Sequence, residues 1–141
     1  MEIKQAVIFC GGVGEKLRPL TDNIPKPMVD VNEKPFLEHL INQLKEQRIS
    51  EIILLTGYKK EIIEDYFGNR QNFGIGIKYS RGPVEWLTAK LLWEAKNLID
   101  DNFLLLYADN YLPFNLKEGI ESSIEFIKKM IKINKESLNR I

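Results

Sequence analysis

Three short, uninterrupted apolar runs constrain the fold of this chain more than anything else in it: Ala6–Cys10 (AVIFC), Glu51–Thr56 (EIILLT) and Asn102–Tyr107 (NFLLLY). None is long enough for an independent helix, and none alternates apolar with polar as a strand with one wet face would. Each therefore reads as a strand buried on both sides. Between them the apolar period becomes helical. Phe36, Leu37, Leu40, Ile41 and Leu44 form one stripe of FLEHLINQLKEQRI, with Pro35 at its start. KKEIIEDYF carries Ile62, Ile63, Tyr66 and Phe67, and the span Leu87–Leu98 carries Leu87, Leu91, Leu92, Ala95 and Leu98. A turn region at Gly68–Gly76 leads into a short strand, Ile77–Ser80. Strands and helices alternating in this way predict an α/β domain with a mostly parallel sheet.

The last stretch, Lys117–Leu138, sets Ile120, Ile124, Ile127 and Ile131 on one stripe and keeps Lys128, Lys129, Lys132 and Lys135 off it. An amphipathic helix is expected there, with Asn115 as its N-cap. No internal repeat, low-complexity segment or linker interrupts the chain, so 1–141 is expected to be one domain, with 116–141 its terminal helix. The 141 residues are 44% apolar and 28% charged, ordinary for a globular chain of that size. Twenty basic residues balance twenty acidic ones. No overall field draws the molecule to nucleic acid or to an anionic membrane, so any anion site must be local. Cys10 is the single cysteine. The start MEIKQAVIF lacks the pattern of a signal peptide, and no apolar run approaches the roughly 20 residues of a membrane span. A cytoplasmic protein without internal disulfides is expected.

The first apolar run ends in GGVGEKLRPLTDNIPKP, Gly11 to Pro27. Glycines without Cβ let backbone N–H groups approach an anion closely, and Lys16, Arg18 and Lys26 bring cations into the same stretch. Such a loop suits phosphates. It is neither a P-loop, since no Gly-Lys-Ser/Thr follows, nor the G-x-G-x-x-G of dinucleotide-binding folds.

GGxGxxLRPLT followed by PKPM and then KPFLEH resembles the sugar-1-phosphate nucleotidyltransferases. The later EIILLTGY, YFG and LLLYADN agree with that resemblance, which runs from about Lys4 to Asn115. It implies a Rossmann-like three-layer α/β/α sandwich, of which this chain would hold the nucleotide-binding half without the C-terminal half. It also implies a reaction in which the phosphate of a sugar 1-phosphate attacks the α-phosphorus of a nucleoside triphosphate. By resemblance Gly11, Gly12 and Gly14 wrap the nucleotide. Lys16 stands where the family usually has an arginine that grips the triphosphate, keeping the charge but not the planar fork. Lys26 matches the lysine that contacts the α-phosphate and the attacking phosphate, and Asp109 the aspartate that holds Mg²⁺. Arg18 and Thr21 share the loop, Arg18 more for loop order than for chemistry. Thr88 belongs to EWLTAKLL, where the family often has a PLGTAGAL-like stretch. There Leu87 and Lys90 replace glycines that let backbone approach the ligand, which predicts a reshaped base and sugar pocket or a different ligand.

A catalytically silent nucleotide-binding or regulatory module of the same fold is the alternative, favoured by EWLTAKLL. A cytidylyl- or guanylyltransferase acting on a non-sugar phosphate is a third reading, against which PLT…PKP argues. The chain would lack a second metal-binding aspartate and the strands that cover the edge beside Asn102–Tyr107, so association of copies through that edge or through the terminal helix is expected. Cys10 is expected in the core, and His39 as a surface or hydrogen-bonded histidine. Trp86 and Trp93, seven apart on one helical face, are expected to pack on the core or an interface rather than on a base.

Overall fold

The computed structural model describes residues 2–69, 73–111 and 113–138, with the main chain alone for 130–138. Glu2–Tyr111 forms one compact unit, and the segment after Tyr111 forms another. In the first unit β1 (Gln5–Phe9) is followed by a small hairpin of β2 (Asp30–Val31) and β3 (Lys34–Pro35). Then come α1 (Phe36–Glu46), β4 (Glu51–Thr56), α2 (Lys60–Phe67), β5 (Gly76–Arg81), α3 (Thr88–Glu94) and β6 (Leu104–Tyr107). The main sheet is wholly parallel, in the order β5-β4-β1-β6. Ile8 lies opposite Leu54 on one side and Leu106 on the other.

Parallel neighbours need crossovers, and right-handed crossovers decide where the helices go. The steps β1 to β4 and β4 to β5 run in one direction, which places α1 and α2 on the same face. The connection from β5 to β6 returns past both central strands and places α3 on the other. Side chains divide accordingly, since neighbours on a strand point to opposite faces. Val7, Ile53 and Leu55 pack with Ala95, against Phe9, Leu91, Leu92, Leu98 and Phe103. On the opposite face Ala6, Ile8, Ile52 and Leu54 are fully buried, as are Leu37, Ile41 and Leu44 of α1 and Ile63 and Phe67 of α2. The result is the three-layer α/β/α arrangement with a parallel sheet that the sequence pattern predicts.

Two differences carry a physical lesson. The run NFLLLY was expected to be buried on both sides, but β6 begins at Leu104 and is an edge strand among the described residues, with Leu105 42% and Tyr107 49% exposed. An apolar run reports composition, not how many neighbours a strand has. The hairpin β2–β3 has no such run at all. Its turn is made by Asn32 and Glu33, both at positive φ (53° and 68°), which matches the right-handed twist of a two-residue hairpin.

In the second unit α4 spans Leu116–Leu138. Asn115 caps it as expected: its Oδ1 accepts from the Glu118 N–H at 3.2 Å, and its Nδ2 donates to the Glu118 carboxylate at 3.1 Å. The predicted side-chain roles of Ile131, Lys132 and Lys135 lie outside the described residues. No helix among the described residues is long and apolar enough to cross a membrane.

Candidate functional site

A cavity of about 620 Å³ opens at the carboxyl ends of the parallel strands, where open α/β sheets present their loops to ligands. Its lining includes Gly11, Gly12, Gly14, Lys16, Lys26, Thr88 and Asp109, so most of the residues singled out from sequence meet there. Arg18 does not. It lies outside the lining, exposed, with its guanidinium 3.5 Å from Asp22.

The loop after β1 is held from within. Gly14 has φ +69°, and a Cβ there would come 2.9 Å from Lys26 Cβ and 3.0 Å from Thr21 Cγ2, so only glycine fits. The buried Thr21 donates its hydroxyl to the Gly14 carbonyl at 2.7 Å. Tyr58, in the turn after β4, donates its hydroxyl to the Thr21 carbonyl at 3.0 Å, and its N–H donates to the Gly11 carbonyl at 3.2 Å. Tyr58 was not singled out beforehand, although TGY marked its neighbourhood. Gly12 has open space where a Cβ would go, so no protein group fixes the need for glycine there.

Lys26 begins a 3₁₀ turn, Lys26–Met28, between the buried Pro25 and Pro27. The two prolines narrow the backbone and fix the direction of the lysine. Its ammonium lies 3.0 Å from the Asp109 carboxylate across 83 residues of sequence. Asp109 follows β6, held by an Ala108 N–H bond to the Phe9 carbonyl at 3.0 Å. The charged end of the cavity thus joins the first loop to the last strand.

The other end is built by glycine contacts. A Cβ on Gly57 would lie 3.1 Å from the Gly11 carbonyl oxygen and 3.2 Å from that of Gly82, so the chain ends of β1, β4 and β5 converge with no room for side chains. A Cβ on Gly82 would collide with Leu91 and come 2.9 Å from Trp86 Cε3. Trp86 lies before α3 rather than on it, lines the cavity, and is half-buried, whereas Trp93 is 65% exposed. The shared helical face expected for the two tryptophans therefore does not exist. Leu87, 80% exposed, is outside the lining.

Cys10 lines the cavity floor but is buried, and burial pushes its thiol far above the ordinary range, which makes it a poor nucleophile. His39 Nε2 is 2.6 Å from the Val31 carbonyl, a hydrogen-bonded histidine as expected. Among the described residues no three His, Cys, Asp or Glu side chains cluster to hold a metal. Asp109 offers its carboxylate beside Lys26, which suits a magnesium ion only if phosphate oxygens and water complete its shell.

Residues 5–135 match the model of the nucleotidyl transferase family. A D-glycero-alpha-D-manno-heptose 1-phosphate guanylyltransferase of Campylobacter jejuni is 38% identical over 81% of this chain and 51% of its own length. A choline-phosphate cytidylyltransferase of Streptococcus pneumoniae is 35% identical over 79% of this chain and 47% of that protein. The crystal structure of HddC from Yersinia pseudotuberculosis complexed with GMP-PN has a TM-score of 0.75 at 32% identity, covering 86% of this chain and 54% of that one. The chain spans about half the length of these relatives.

Proposed function

We propose, from the premise that this chain belongs to the nucleotidyl transferase family, that its glycine-loop cavity binds a nucleoside triphosphate and passes the nucleoside monophosphate to a sugar 1-phosphate. A phosphate oxygen of the acceptor forms the new bond to the α-phosphorus, and the bond to pyrophosphate breaks on the opposite side. Alignment and charge balance carry such a displacement, so no protein nucleophile is needed. The observation that supports this reading most is the Lys26–Asp109 pair at 3.0 Å beside the Gly14 loop.

On this reading Gly11, Gly12 and Gly14 wrap the nucleotide, Lys16 grips the outer phosphates, and Lys26 faces the α-phosphate and the acceptor phosphate. Thr88 lies toward base and sugar, and Arg18 keeps the loop ordered through Asp22. Asp109 would hold Mg²⁺ together with phosphate oxygens, and the ion would supply charge neutralisation there. Residues 1–141 then act as one nucleotide-binding domain, in the cytoplasm where nucleoside triphosphates are abundant. Copies of the chain would associate through the edge of β6 or through α4.

Calorimetry tests the site. The wild-type chain is expected to bind a nucleoside triphosphate more tightly with Mg²⁺ than without. Lys26→Ala should weaken that binding at least about tenfold, and Asp109→Asn should remove the Mg²⁺ dependence. Binding that ignores Mg²⁺ and both substitutions rejects the assignment. A second reading, binding without turnover, is favoured by Leu87 and Lys90 in place of the family's glycines. Pyrophosphate release, assayed over the common nucleoside triphosphates with several sugar 1-phosphates, separates transfer from silent binding.

A further inference from the structure

The contacts within the cavity sort its lining into a charged group, Gly14, Lys26 and Asp109, and an apolar group, Gly82, Trp86 and Leu91, joined by the Gly11–Gly57–Gly82 backbone. We propose that Trp86 is the wall on which the nucleobase lies, and so the residue that sets base preference in this chain. The proposal rests on the nucleotide reading of the cavity and adds an orientation to it: phosphates toward Lys26, base toward Trp86.

The indole is held in place before any ligand arrives. The Trp86 backbone N–H donates to the Pro83 carbonyl at 3.1 Å, closing a tight turn that fixes the main chain of the residue just ahead of α3. One part of the ring packs so closely on Gly82 that a Cβ there would stand 2.9 Å from Cε3. The Lys90 ammonium lies 4.4 Å from the ring centroid, a cation–π contact that further limits its motion. Lys90 is one of the two residues that stand where the resemblance implies glycines. Instead of blocking the cavity, its charged end rests on the tryptophan that lines it. The apolar end of the cavity thus carries a rigid aromatic surface. Every nucleobase has a π-face, and stacking on an immobilised aromatic ring strengthens binding without needing an ordered hydrogen-bond set.

The chain's two tryptophans make the test direct. Trp93 is 65% exposed, so Trp93→Phe should leave the fold intact and Trp86 as the sole indole reporter. This variant is titrated, with Mg²⁺ present, with ATP, GTP, CTP and UTP, and separately with inorganic tripolyphosphate, with calorimetry in parallel. The expected result is that nucleotides quench or shift Trp86 emission while tripolyphosphate binds and leaves it unchanged. In the full chain, Trp86→Leu should weaken nucleotide binding about tenfold and narrow the differences among the bases, with tripolyphosphate affinity retained and Trp86→Phe restoring part of the loss. Nucleotide binding that leaves Trp86 emission unchanged overturns the proposal while the phosphate site stands. Equal emission changes with nucleotide and tripolyphosphate overturn it too, since the ring would then be reporting loop movement. If neither ligand binds, the nucleotide reading itself falls, and this proposal with it.

Discussion

Gly14 and Gly12 lie two residues apart in the same loop, yet the structure assigns them different reasons for being glycine. At Gly14 the backbone is left-handed, φ +69°, and a Cβ would press on Lys26 Cβ at 2.9 Å and on Thr21 Cγ2 at 3.0 Å. Gly14→Ala is therefore expected to cost about 1–2 kcal/mol from the backbone alone, and more from the contacts. Because Lys26 is one of those contacts, nucleotide affinity should fall together with stability. At Gly12 nothing lies within 4 Å of the position a Cβ would take. Gly12→Ala should leave the unfolding free energy within about 0.5 kcal/mol of wild type, and any loss of nucleotide affinity there reports contact with ligand. Urea denaturation and calorimetry on both variants check the contrast. Equal effects on stability would mean that the loop does not hold the conformation described.

At the scale of elements, the edge between β1, β4 and β5 is knit by side chains as well as by the backbone ladder. The buried Gln5 donates Nε2 to Glu51 at 2.8 Å and to the Leu98 carbonyl at 2.9 Å, while its Oε1 accepts from the Asp100 N–H at 2.8 Å. Glu51 also meets the Lys78 ammonium at 2.7 Å. Lys78 foremost, helped by Gln5 against partial burial, holds the Glu51 carboxyl below the usual carboxylate range. A carboxyl whose folded pKa is depressed stabilises the fold above its unfolded value, and that contribution is lost as pH falls through the folded one. Glu51→Gln is thus expected to lower stability near neutrality, to converge on wild type as the carboxyl protonates, and so to flatten the acid limb of the stability curve. With the carboxylate side chain 30% exposed, the effect should be on the order of 0.5 kcal/mol. Thermal melts between pH 3 and 7 measure it, and an acid limb as steep in the variant as in wild type would place the sensitivity elsewhere. None of this network is legible in the sequence, because Gln5 and Glu51 become neighbours only once the parallel register is set. What is legible is local. The EIILLT run marks β4 to the residue, and the glycine loop with Lys26 and Asp109 marks the charged end of the cavity. The apolar end was missed because Trp86 reads as part of a helical stripe, while the turn from Pro83 holds it ahead of the helix.

Across the Glu2–Tyr111 unit, burial is lopsided. The central strands β1 and β4 are sealed on both faces, with Ala6, Val7, Ile8 and Ile52 to Leu55 at 0% exposure, whereas β6 leaves Leu105 and Tyr107 open to solvent. β6 pairs with β1 alone among the described residues, so the backbone groups on its outer side form an edge that another strand could use. An apolar, uncharged edge favours such pairing, and natural sheets commonly blunt it with charge. If copies of this chain pair through β6, apparent mass in light scattering should rise with concentration, and Leu105→Lys should hold the chain at the monomer mass. The substitution falls on a 42% exposed side chain, so its cost to the fold should stay small, within about 0.5 kcal/mol. Phe126→Lys on α4, where the side chain is 64% exposed, supplies the comparison. Loss of association in Leu105→Lys but not in Phe126→Lys identifies the sheet edge, and the reverse identifies the terminal helix. A mass that stays monomeric at every concentration in wild type rejects both surfaces and leaves the edge of β6 free in solution.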